Sequence, residues 1–167
     1  DIKTFIDVIK HFNTHHKSVG FIFIGRGDFS REIKNLSENP EIDNLAYFDE
    51  INRNELALIY KFCNFGLVLL DRNHTTHNIP GKFISYIHYG LPVFAAINKR
   101  NQLENIIKIN NLGFSCVNNK NEIISSMESM LDSWQDTKYD TCSIAKSDFS
   151  TISAKNKILD FFNQYER

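Results

Sequence analysis

Residues 77–93 hold the densest set of groups in this chain with usable chemistry, among them His77, Asn78, Pro80, Gly81, Lys82, Ser85, Tyr86 and Gly90. Phe83, Ile84, Ile87 and His88 continue at helical spacing after Pro80, and Gly90 stops the run, which predicts a helix opening at Gly81. The first N–H groups of a helix lack partners inside it, and its dipole makes that end positive. The Gly81 and Lys82 N–H groups therefore form an anion site. Lys82 stands where the dipole disfavours a cation, so either an anion binds there or the side chain simply extends into solvent.

The elements that must position this helix alternate. Ile2, Phe5, Ile6, Ile9 and Phe12 fall on one face of an opening amphipathic helix. Residues 19–24 read as a buried strand, ended by Gly25-Arg26-Gly27-Asp28, and Asp28 or Ser30 can cap a helix whose inner face is Ile33 and Leu36. A second strand spans 45–48, and Asn52 or Asn54 caps a helix with Leu56, Ile59, Tyr60 and Cys63 on one face. Residues 65–70 form a third strand, and a polar loop, 71–80, follows it. Strands at 92–96 and 114–117 flank a helix carrying Leu103, Ile106, Ile107 and Asn110 that Gly113 ends, and helices at 122–131 and 154–162 close the chain. Buried-type strands alternating with helices long enough to cross over predict an α/β fold, a doubly wound parallel sheet. Ligands bind such sheets at the carboxyl ends of the strands, so the loops after Ile24, Phe48, Leu70 and Ala96 are the ones to inspect.

Composition excludes several classes. At 167 residues, 42% hydrophobic and 23% charged, the chain suits one globular domain, 1–167. Lys+Arg 19 against Asp+Glu 20 leaves a net charge of -1, which removes the electrostatic basis for nucleic-acid binding as a main task. Cys63, Cys116 and Cys142 are odd in number and lack C-x-x-C spacing, which fits neither a disulfide framework nor a zinc ribbon and suits a reducing cytoplasm. No apolar run is long enough to span a bilayer.

Other candidates carry blander readings. His74 and His77 are loop histidines three apart without companion ligands, so no metal site is assigned. His15-His16 ends the first helix, where a histidine suits the dipole. Cys63 reads as core, and Trp134 and Phe161-Phe162 as packing groups. Asp71 ends the third strand in the manner of a phospho-acceptor receiver domain, which needs a carboxylate pair before the first helix to hold Mg²⁺.

Several segments in order resemble the C-terminal half of GT-B glycosyltransferases, nearest family 4 and related bacterial enzymes of surface-polysaccharide synthesis. Ile79-Pro80-Gly81-Lys82 with Tyr86 and Gly90-Leu91-Pro92-Val93 resembles their P-x-K-x-x-x-Y-x-x-x-G-x-P-V pattern. Phe23-Ile24-Gly25-Arg26-Gly27 resembles the hydrophobic-G-x-G turn, and Asn54-Glu55-Leu56 with residues 63–68 resembles the E-L-x-x-x-Y-x-x-A-D stretch. The resemblance runs from the first helix to about Leu131 and implies a Rossmann-like domain that binds a nucleotide-sugar donor of the UDP or GDP type as substrate, with no separate cofactor. It implies that Gly81 and Lys82 meet the phosphates, that Arg26 beside Gly25 adds a second cation, that the base lies near the loop after Phe48, and that Asn78 and Ser85 line the same site. Ser85 and His77 stand where many relatives carry glutamates, and Asn64 where they carry aspartate, so no catalytic residue is assigned. The resemblance further implies a central strand just before Asp1 and an N-terminal domain that takes a glycan, lipid-linked or protein acceptor. The whole enzyme would then be cytoplasmic, with room for peripheral association at the inner face of the membrane, and this chain alone would not turn over. A non-catalytic sugar-nucleotide-binding or assembly module is the alternative that the absent glutamates suit.

Overall fold

A computed structural model describes residues 2–71, 73, 79–99, 101–134 and 139–165, with side chains to residue 160. Helices and strands alternate as α1 (Ile2–His15), β1 (Phe21–Ile24), α2 (Ser30–Ser37), β2 (Leu45–Phe48), α3 (Arg53–Phe62), β3 (Gly66–Leu69), α4 (Gly81–His88), β4 (Val93–Ile97), α5 (Gln102–Ile109) and β5 (Gly113–Val117). Helices α6 (Lys120–Ser133), α7 (Thr141–Asp148) and α8 (Thr151–Tyr165) follow. Every strand pair is parallel, in two sheets of order β1-β2 and β3-β4-β5. The fold is Rossmann-like α/β. Among the described residues no helix is long and apolar enough to cross a membrane.

Strand periodicity explains how helices cover both faces of the larger sheet. In β4, Phe94 and Ala96 join a core with Phe5, Val8, Ile9 and Phe12 of α1 and Ile123, Met127 and Met130 of α6. Val93, Ala95 and Ile97 point the other way, into a core with Phe83 and Ile87 of α4, Leu103 and Ile107 of α5 and Ala145 of α7. All five β4 residues are buried, which is why the strand reads as an unbroken apolar run. Burying each of these large side chains contributes about 1.5–3 kcal/mol relative to exposure.

The smaller sheet shares the first of these cores through Phe21 and Leu45, and the Phe5 and Phe21 rings meet edge to face at 5.4 Å. Strands β1 and β3, where the resemblance inserts a further strand, do not pair among the described residues. Ile22 and Phe48, on the opposite face of this sheet, remain 44% and 45% exposed.

Local chemistry corrects some boundaries. Asn52, rather than Asn54, caps α3: its side chain accepts from the N–H groups of Asn54 and Glu55, and the Glu55 carboxylate accepts from the Asn52 N–H at 3.0 Å. Neither Asp28 nor Ser30 caps α2; Phe29 occupies that position without a side-chain bond, and the Ser30 hydroxyl donates to the Gly27 carbonyl. The chain leaves α5 through Asn111 at φ 49°, and Gly113 belongs to β5. Helix α7, absent from the periodicity reading, docks on α4; its buried residues are the small Thr141 and Ala145, and Ile144 is the single large apolar side chain of the helix, too little for a periodic signal. Trp134 packs against the first core, edge to face with Phe65 at 6.2 Å.

Candidate functional site

Helix α4 reaches its position because Gly66 opens β3. A Cβ at Gly66 would lie 2.3 Å from Cγ of Tyr86, so the absent side chain lets the tyrosine ring lie directly on the strand backbone. The same ring meets Tyr60 of α3 edge to face at 5.5 Å. Burial, then the neighbouring Tyr60 and Cys63, push the Tyr86 phenol up to about 12. Phe83 and Ile87 are fully buried on the sheet side.

The opposite consequence falls at the helix start. Pro80 has extended backbone and offers no side-chain cap, and the first turn carries no acidic residue. The Phe83 N–H donates to the Pro80 carbonyl at 3.0 Å. The N–H groups of Gly81 and Lys82 have no partner among the described residues, and both residues are exposed. Among the described residues this leaves two unpartnered backbone donors, the positive helix end and one ammonium at the same exposed turn, the arrangement that takes an anion. Ser85 is also exposed, and its hydroxyl donates back to the Gly81 carbonyl at 3.1 Å, so in this state it serves its own helix. Asn78, like His74 and His77, lies outside the described residues.

The other predicted residues gather around the ends of β1 and β2. Gly25 has φ 121°, a conformation that suits glycine, and its N–H donates to the Phe48 carbonyl at 3.0 Å. The Tyr47 hydroxyl donates to the Gly25 carbonyl, which fixes the turn. Arg26 projects beyond that turn and lies 3.5 Å from Glu50, both largely exposed. Thus the structure assembles Gly81, Lys82 and Ser85 on α4 and Gly25, Arg26 and Phe48 on the smaller sheet, and no hydrogen bond or ion pair among the described residues links the two groups. Asp71 accepts the Asn73 N–H at 2.8 Å, a local turn contact.

The loop after Ala96 is among those to inspect, but the sequence assigns no site residue there or at the end of β5, where a pocket of about 280 Å³ is lined by Ile97, Asn98, Glu104, Cys116, Glu122 and Ser126. Two carboxylates make it unsuited to phosphate. Burial above all pushes the Cys116 thiol up to about 12, with a Ser126 hydrogen bond acting the other way and Glu122 adding to the rise. Asn118, buried after β5, donates through its side chain to the Leu70 carbonyl and so ties the ends of β5 and β3 together. Parallel register, Ala96 beside Cys116, brings these distant segments together, and no local spacing announces it.

Cys63 is half-buried, and desolvation raises its thiol, which fits packing rather than nucleophilic attack. Comparison with protein-family models finds no match, and comparison with curated protein sequences finds none either.

Proposed function

We propose that the chain binds the diphosphate of a nucleotide-sugar at the start of α4, as the donor-binding domain of a GT-B-type glycosyltransferase. The observation that supports the reading best is the exposed helix start at Gly81 and Lys82, with two backbone donors that have no partner among the described residues, no acidic residue in the first turn and a lysine. In sugar transfer the diphosphate leaves with increasing negative charge, and fixed N–H donors with a nearby cation stabilise that charge. The donor is a substrate of the UDP or GDP type, and the acceptor is a glycan, a lipid-linked sugar or a protein. Arg26 supplies a second cation by exchanging Glu50 for phosphate, which costs little because an exposed pair of this kind is worth about 0–1 kcal/mol. Ribose contacts are weak in this reading, because Ser85 offers one hydroxyl where a glutamate would accept two charged bonds.

Calorimetric titration of UDP and GDP into the protein tests the proposal. A charge-assisted phosphate contact is worth about 1.5–3 kcal/mol, so Lys82→Ala should weaken the preferred nucleotide roughly tenfold to a hundredfold. Equal affinity in the variant, or no binding of either nucleotide to the parent, would overturn it.

A further inference from the structure

We propose that His11, His16 and Glu128 form a binding site for a divalent zinc-type ion, which pins α1 to α6. His11 in α1, His16 just past its end and Glu128 in α6 meet near where the chain enters β1, whereas Arg26 and its turn lie where the chain leaves it. The Nε2 atoms of His11 and His16 lie 3.3 and 3.1 Å from one and the same carboxylate oxygen, Oε1 of Glu128. All three donor atoms lie within 4.8 Å of one another.

Convergence on one oxygen is the telling feature. Both rings hydrogen-bond the same carboxylate oxygen, which clusters the three donor atoms closely enough for a small reorientation of the side chains to bring them around one ion. Four ligands about 2.0–2.1 Å from a tetrahedral zinc lie roughly 3.3–3.4 Å apart, close to both nitrogen-to-oxygen separations, and the two nitrogens lie within 4.8 Å of each other. Two imidazoles and one carboxylate, with water as fourth ligand, are an ordinary donor set for zinc. As hydrogen-bond donors both rings carry their proton on Nε2; ion binding requires each to carry it on Nδ1 instead and turn the Nε2 lone pair inward.

The surroundings hold the rings ready. His11 stacks on His15 at 4.3 Å, and the His15 Nδ1–H donates to the His11 carbonyl at 2.9 Å. His16 lies against the buried Phe12 ring at 4.9 Å. The His11, His16 and Glu128 side chains are 26%, 32% and 40% exposed, which leaves the ion a path from solvent.

Zinc chloride titrated into tag-free protein by calorimetry tests this, with thermal melts at matched zinc concentrations. The expected result is one ion per chain and a Tm that rises with zinc concentration, since an ion bound only by the folded state stabilises it. His16→Ala should weaken binding by roughly tenfold or more, since losing even an outer-shell partner of a metal ligand costs that much. Glu128→Gln keeps a hydrogen-bond acceptor but loses the anionic ligand, so it should keep the metal-free Tm and lose the zinc-dependent rise. A His74→Ala/His77→Ala variant should bind as the parent does. No zinc binding by the parent, undiminished binding by His16→Ala and Glu128→Gln, or loss of binding only in the His74/His77 variant would each overturn the proposal.

Discussion

Gly66→Ala should displace the helix that carries the candidate anion site, and its cost follows from the geometry. The new methyl carbon would sit 2.3, 2.4 and 2.7 Å from Cγ, Cδ2 and Cδ1 of Tyr86, whereas nonbonded carbons rest at about 3.5 Å or more. The ring must retreat by about 1.2 Å, and with the Tyr60 centroid 5.5 Å away any such shift also disturbs that aromatic contact. Forced overpacking of this kind costs about 1–3 kcal/mol, and at about 2–4 °C per kcal/mol for a chain of this size the Tm should fall by roughly 2–12 °C. Tyr86→Ala removes the obstructing ring, so a double-mutant cycle separates this clash from a generic glycine effect. The double variant should be more stable than the sum of the single losses predicts, by about 1–3 kcal/mol. The assay is a set of four reversible thermal or urea melts. Strict additivity, or an unchanged Tm in Gly66→Ala alone, would refute the reasoning.

Other outcomes follow from the same contacts. Gly113→Ala should cost about 3 kcal/mol or more and reduce the yield of folded protein, because Gly113 has φ 137° and its Cβ would lie 2.0 Å from the Val93 carbonyl oxygen, a backbone atom that cannot yield; circular dichroism melts check this. Tyr86 holds its proton more tightly folded than unfolded, so stability is complete below about pH 10 and falls as the pH rises toward about 12, an effect that Tyr86→Phe should reduce; urea midpoints across that range measure it. Iodoacetamide at pH 8 should label exposed Cys142 in the native protein and spare Cys116, whose thiol stays protonated there, as peptide mass spectrometry would read.

The strands were legible because a strand covered on both faces is an unbroken apolar run, as in the five buried residues of β4. The start of α4 was legible for a related reason: Pro80 fixes the entry and Phe83 and Ile87 set the phase. Helix α7 escaped because Thr141 and Ala145 bury little apolar surface. Side-chain roles escaped where a rotamer choice or a partner distant in sequence decides them. Ser85 turned its hydroxyl to its own helix, Arg26 found Glu50 across the turn, and His16 found Glu128 at a separation of 112 residues. His15-His16 looked like a helix ending, and His15 does end α1, but the carboxylate that gathers His11 and His16 comes from α6.

The central claim is that nucleotide phosphate sits on the backbone at the start of α4, and amide chemical shifts read that contact directly. Adding UDP or GDP to ¹⁵N-labelled protein should move the Gly81 and Lys82 resonances most, with smaller shifts at Gly25 and Arg26, and inorganic pyrophosphate should reproduce the α4 shifts. Saturating shifts confined to other residues, or none at Gly81 and Lys82, would contradict the account.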